Sequence, residues 1–228
     1  MRNLTIFTIV LLLGTTTTTV RAEHSDVPIT TDGTSLSVTP ADHGGELFFV
    51  YPGHFGEAVD PANVSIMPGF SGEGFNEDDL IGFNVRQELL YWDGAAMAIP
   101  PEQQYLTIEH PAVHSLDVNI DGTTGFQEGF DFIEVDADGD IHQHLHFVLH
   151  GPGEPDGLVP GAYGLWLELT SPQYETSNDF IILLNYGLEH EAFEAGVHYI
   201  GEYVIPEPGS LMLLAVAGLA IAARRSIA

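Results

Sequence analysis

The feature that most constrains this chain is the near absence of positive charge from its interior. The 228 residues include 33 Asp and Glu but only five Lys and Arg. Arg86 is the one basic residue between Glu23 and Ile205, and 32 of the acidic residues lie in that interval. A network of salt bridges cannot stabilise such a domain. Its carboxylates must be hydrated, hydrogen-bonded or neutralised by bound cations.

The composition excludes several classes of partner and site. The formal net charge is −28, and a field of that sign repels nucleic-acid phosphates and anionic lipids, so we expect neither as a partner. The chain has no Cys, which excludes disulfides, thiolate metal ligands and cysteine nucleophiles. Disorder is not expected despite the charge, because 44% of the residues are hydrophobic and can form a core.

The N-terminus has the pattern of a secretory signal peptide. Arg2 gives it a positive start, Leu4 to Gly14 is apolar, and Val20 and Ala22 suit positions −3 and −1 of a cleavage site. We therefore expect residues 1–22 to be a signal peptide and residues 23–205 to form the domain.

The C-terminus has three parts in a fixed order. Pro206, Glu207 and Pro208 precede an uncharged stretch, Gly209 to Ala223, which is followed by Arg224 and Arg225. As a helix this stretch would cover roughly 22 Å, enough to cross a membrane with its flanking residues, and the arginines would stay cytoplasmic.

This arrangement resembles the PEP-CTERM sorting signal of Gram-negative bacteria. The resemblance implies that residues 206–228 are a sorting signal with a transmembrane helix, and that an exosortase is a partner. It also implies processing near Pro206, passage through the inner membrane, and delivery to the cell surface or its exopolysaccharide.

The region between the two ends is predicted to be all-β. Five Asp-Gly pairs, which favour tight turns, alternate with short segments rich in β-branched and aromatic residues. This spacing predicts a single β-sandwich or jelly-roll-like domain. A short helix is expected at Glu189–Ala195. The last predicted strands are Ala162–Thr170, Phe180–Asn185 and Val197–Val204.

One predicted strand carries most of the candidate chemistry. A turn at Asp136–Gly139 is expected to join strands Phe130–Val135 and Asp140–Leu149. Because side chains alternate along a strand, His142, His144 and His146 would share one face. Neighbouring histidines on that face would lie roughly 6.6 Å apart at the backbone, a separation that suits two ligands of one metal ion. With no Cys, such a site favours zinc over copper, nickel or iron.

The sequence leaves the remaining metal ligands open. Asp131 would lie across from His144 in one hairpin register, and Glu134 across from His142 in another. More distant candidates are His43, His54, His110, His114, His190 and His198. The alternative interpretation is that these histidines are ordinary polar residues on an exposed face.

Calcium is a weaker cofactor candidate at the turn. Asp136, Asp138 and Asp140 match the first three ligand positions of an EF-hand loop, but Ile141 and Phe147 stand where that loop needs Gly and Glu. A hairpin turn explains the segment better.

The residues from Gly139 to Phe147, followed by Gly161-Ala162-Tyr163, are similar to surface-anchored β domains with a His-x-His strand, some of which are associated with zinc systems. That resemblance carries over only to His142 and His144. No enzyme template fits the chain. We therefore expect a binding or matrix component with a His-based metal site. A metal-dependent hydrolase of surface polysaccharide and a purely structural adhesin remain as alternatives.

Overall fold

The computed structural model describes residues 26–57, 59–110, 113–120, 125–153 and 156–204, with the backbone alone for 113–120. This part of the chain contains 17 strands and one helix. In chain order the strands are β1 (Val27–Thr31), β2 (Leu36–Val38), β3 (Ala41–His43), β4 (Glu46–Phe48), β5 (Val50–His54), β6 (Val64–Ser65), β7 (Phe70–Gly72), β8 (Leu80–Val85), β9 (Leu90–Trp92), β10 (Met97–Ala98), β11 (Tyr105–His110), β12 (Val113–Ile120), β13 (Gln127–Glu134), β14 (Ile141–Gln143), β15 (His146–His150), β16 (Gly161–Thr170) and β17 (Phe180–Tyr186). The helix, α1, spans His190–Tyr203.

Strand β16 is the centre of a seven-stranded sheet. Strand β17 pairs with it on one side. On the other side, β9 pairs with its first half and β8 with its second half. The sheet is extended by β5, which runs parallel to β17, by β13 beside β8, and by β10 beside β9. The predicted strands at 162–170 and 180–185 are therefore correct to within a residue.

Two four-stranded sheets pack against this large sheet. One has the order β14-β7-β1-β2 and the other β12-β11-β15-β6, while β3 and β4 form a separate hairpin. A single buried cluster unites all three sheets, with Ile29, Leu106 and Leu165 among its members. The predicted all-β sandwich class is confirmed. The short helix predicted at Glu189–Ala195 is present and extends further than expected, over His190–Tyr203.

Helix α1 covers the outer face of the large sheet. Its buried residues are Phe193, Gly196, Val197, Ile200 and Gly201, a spacing that places them on one helical face. They belong to, or lie against, a second core built on Trp92, Trp166 and Ile181. The predicted strand Val197–Val204 is therefore wrong, because packing on the sheet outweighs the β propensity of Val197 and Ile200.

The strand predicted at Asp140–Leu149 is also wrong in one respect. It is broken at His144 and Leu145 into β14 and β15, which belong to different sheets. Strand β13 does not pair with either of them but with β8, so Asp131 lies across from Gly82 and Glu134 across from Leu80. Both predicted cross-strand partners for the histidines are therefore wrong.

The only basic side chain of the domain neutralises a buried acid. Arg86 Nη1 lies 3.0 Å from Glu168 Oε2, and Glu168 is only 8% exposed. The same guanidinium reaches Asp179, with Nε 3.6 Å from Oδ1. Asn84 Nδ2 donates to the other oxygen of Glu168 at 3.0 Å. Arg86 is thus placed beside a buried carboxylate that would be costly to leave without a counter-charge.

The two predicted terminal segments, residues 1–22 and 206–228, lie outside the described residues. Within the described residues, no helix is both long and apolar enough to cross a membrane.

Candidate metal centre

Three side chains converge at one end of the β14-β7-β1-β2 sheet. Asp26 directly precedes β1, His142 lies in β14, and His144 follows β14 at the break before β15. Because β7 lies between β1 and β14, the start of β1 comes close to the end of β14. His, His and Asp each offer one ligand atom here, and these atoms lie within 4.8 Å of one another.

The distances within this cluster are short. His142 Nε2 lies 3.2 Å from His144 Nε2 and 3.5 Å from Asp26 Oδ2. The two imidazole rings have centroids 5.1 Å apart and are inclined by 66°. The side chain of His142 is 70% exposed and that of Asp26 is 22% exposed, so the cluster is open to solvent on the His142 side.

The orientation of His144 is fixed by a backbone carbonyl. His144 Nδ1 lies 2.8 Å from the oxygen of Ile66. A carbonyl oxygen only accepts hydrogen bonds, so Nδ1 carries the proton and donates it. The lone pair of a neutral His144 is then on Nε2, which faces His142 and Asp26. This is the arrangement that orients histidine ligands in metal sites.

Asp26 is held by the residue that precedes β7. Its Oδ1 accepts a hydrogen bond from the backbone N–H of Gly69 at 3.1 Å. The other carboxylate oxygen, Oδ2, is the one that faces His142. His144 and Asp26 thus each form a hydrogen bond to the backbone through one polar atom, and the other polar atom of each side chain faces the centre of the cluster.

The spacing of the ligand atoms suits a tetrahedral zinc ion. Ligands at about 2.0–2.1 Å from tetrahedral zinc lie about 3.3–3.4 Å from one another. The two measured separations from His142 Nε2, 3.2 and 3.5 Å, lie on either side of that value. With an aspartate and two imidazoles as ligands, one coordination position would be left for water or another ligand.

The third predicted ligand, His146, is not in the cluster. It begins β15, in a different sheet, and lies across from Glu109. Further along that strand, His150 stacks on Tyr105, with centroids 4.7 Å apart. The break between β14 and β15 separates His146 from His142 and His144. Among the described side chains, the other candidate histidines, His43, His54, His110, His190 and His198, are not in the cluster either, and the side chain of His114 lies outside that set.

The acidic turn forms a separate feature. The backbone N–H of Gly139 donates to the carbonyl of Asp136 at 3.1 Å, and Gly139 has a positive φ of 77°. Protonated Asp136 donates a side-chain hydrogen bond to the neighbouring Asp138, and this bond, together with the charge of Asp138, raises the pKa of Asp136. Within the described residues, these carboxylates do not form a group with metal-ligand spacing.

Sequence reasoning missed Asp26. The strand that follows it, β1, was not predicted, and neither was β7, so nothing connected the start of the domain to the histidines. The sequence feature that could have indicated β1 is the alternation of apolar Val27 and Ile29 just before the Asp32-Gly33 turn.

Comparisons with known proteins identify the C-terminal segment. Residues 204–226 match the family described as the PEP-CTERM protein-sorting motif. No curated protein matches the chain. Among solved structures, the CooA pilin subunit from enterotoxigenic Escherichia coli is 11% identical, covers 67% of this chain and 99% of its own, and has a TM-score of 0.29, too low to support any argument. The predicted sorting signal is confirmed: the chain carries a PEP-CTERM motif and is an exported, exosortase-sorted surface protein.

Proposed function

We propose that this surface protein is a binding component of the cell envelope or exopolysaccharide that holds a zinc ion through Asp26, His142 and His144. The main support for this proposal is that the three ligand atoms, one from each side chain, lie within 4.8 Å of one another. It is supported by the carbonyl that orients His144 and the N–H that orients Asp26.

The donor set favours zinc among the metals. Two imidazole nitrogens and one carboxylate suit a borderline metal ion, whereas calcium and magnesium prefer oxygen ligands. The bound ion would also offset charge in a chain whose formal net charge is −28. The negative field of the domain attracts cations to its surface, which speeds their capture.

Binding is favoured over catalysis by the openness of the site. The His142 side chain is 70% exposed, so bulk water reaches the centre directly. A hydrolase of surface polysaccharide would need a cleft that positions its substrate and an acid or base beside the metal. The proposed role is therefore to retain metal at the cell surface.

The test is a zinc titration by calorimetry at pH 7.5 and 5.5. The exported wild-type protein is compared with His144→Ala and with His146→Ala as the matched control. His144→Ala should weaken binding by at least about 100-fold, because losing a ligand costs more than the 10- to 100-fold typical of an outer-shell partner. His146→Ala should leave the affinity unchanged, since His146 lies in a different sheet.

Acid should weaken zinc binding by the wild type, since histidine ligands bind metal only when deprotonated and free histidine takes up a proton near pH 6.5. Equal affinities for wild type and His144→Ala would contradict the proposal. So would the absence of wild-type binding below millimolar zinc. Zinc-dependent cleavage of the producing cell's exopolysaccharide would favour the hydrolase instead.

A further inference from the structure

Gly69 lies against the backbone-bonded side of the metal cluster, behind the ligand atoms of His144 and Asp26, without contributing a ligand itself. It directly precedes β7, the strand between those that carry Asp26 and the histidines. We infer that Gly69 is the positioning residue of this site, and that its lack of a side chain allows Asp26 and His144 to approach each other. This inference rests on the proposed function.

The space at Gly69 is filled by the site itself. A Cβ atom built on Gly69 would lie 2.5 Å from Cε1 and 2.7 Å from Nδ1 of His144. It would also lie 2.8 Å from Oδ1 of Asp26. All three distances are too short for real contacts, so any other residue would displace one or both of these side chains.

The backbone of Gly69 ties the same two parts of the site together. Its N–H donates to Asp26 Oδ1 at 3.1 Å, and its carbonyl accepts from the N–H of Val27 at 2.8 Å. Three residues earlier, the carbonyl of Ile66 holds Nδ1 of His144. The segment from Ile66 to Gly69 therefore fixes two side chains, Asp26 and His144, that are far apart in the sequence.

The glycine is needed for space and not for backbone conformation. Gly69 is absent from the glycines with positive φ, so alanine could adopt its backbone angles without strain. An alanine at this position would act through contact with His144 and Asp26. Outer groups that orient metal ligands typically change affinity by about 10- to 100-fold when they are altered.

The experiment measures zinc affinity of the exported protein for wild type, Gly69→Ala and Gly72→Ala. Gly72 is the matched control, because a Cβ atom there would meet the backbone oxygen of Ile29 at 2.5 Å and not the site. Gly69→Ala should weaken zinc binding at least tenfold, because the added methyl group would displace the side chains that hold the ion. Gly72→Ala should lower the melting temperature but leave affinity within about threefold, since it adds strain away from the ligands.

A thermal cycle in metal-free buffer separates positioning from general destabilisation. Gly69→Ala should lower the melting temperature less in a His144→Ala background than in wild type, because the main clash partner is then gone. If wild type binds zinc and Gly69→Ala binds it equally well, the inference is wrong while the proposed function stands. An equal loss of melting temperature in both backgrounds would also overturn it. If wild type binds no zinc, the proposed function itself fails.

Discussion

Replacing Arg86 with Ala should destabilise the domain more than any other change of a charged surface residue. The change leaves Glu168, which is 8% exposed, with the amide of Asn84 as a hydrogen-bond donor but no counter-charge. Asp179 loses its contact with the same guanidinium, though it still accepts a hydrogen bond from Trp166 Nε1 at 2.9 Å.

The magnitude follows from the exposure of the two partners. Removing one member of a fully buried pair costs about 3–5 kcal/mol, whereas exposed pairs contribute about 0–1 kcal/mol. The Glu168 side chain is 10% exposed but that of Arg86 is 40% exposed, which places this pair between the two limits. We expect a loss of about 2 kcal/mol in the free energy of unfolding, or roughly 4–8 °C in melting temperature for a domain of this size.

The assay is thermal unfolding at pH 7, followed by circular dichroism. Arg86→Lys should fall between wild type and Arg86→Ala, since a single ammonium cannot replace both guanidinium contacts. Glu168→Gln combined with Arg86→Ala should recover part of the loss, because the buried charge is removed as well. A shift below 1 °C for Arg86→Ala, or no recovery in the double variant, would refute this account of the buried acid.

Three further predictions concern charge and sorting. Hydrogen bonds from the backbone N–H groups of Ala96 and Ala95 lower the pKa of Asp93 in the folded state. The stabilisation by ionised Asp93 is therefore fully present above the pKa of the unfolded state and is lost as pH falls through the pKa of the folded state. The difference in melting temperature between wild type and Asp93→Asn, corrected by the exposed control Glu73→Gln, should shrink below about pH 4. Added NaCl should raise the wild-type melting temperature at pH 7, because screening relieves repulsion among the acidic side chains, and a flat response would contradict this. Replacing Pro206, Glu207 and Pro208 should leave the protein in the inner membrane, as fractionation and immunoblotting would show; delivery of the variant to the cell surface at the wild-type level would contradict the role of this motif.

The sequence predicts the parts of the fold that are encoded locally. Strands β16 and β17 are buried on both faces and are therefore recognisable as continuous apolar runs. The turns at Asp32-Gly33 and Asp93-Gly94 adopt positive φ at glycine and join neighbouring paired strands, as their composition predicts. The proximity of His142 and His144 could likewise be predicted, because the two residues are only two positions apart in the chain.

Features that depend on distant contacts were not predictable in the same way. Val197, Ile200 and Val204 favour a strand locally, and α1 forms because Gly196 and Gly201 let it approach Trp92 and Phe48. The break at His144 and Leu145 results from the strand entering a second sheet, where β15 pairs with β11 and β6. Asp26 reaches the histidines only through the parallel pairing of β1 with β7.

The parallel pairing of β5 with β17 sets the order in which this domain can fold. Val50 pairs with Ile181, and His54 with Asn185, so β5 cannot pair until β17, one of the last strands in the chain, is available. Closing so long a loop is slow, and the central sheet cannot form until residues 161–186 have crossed the membrane. Only α1 separates β17 from the sorting motif at residue 204. The last strand that the central sheet needs is therefore followed almost directly along the chain by the sorting motif.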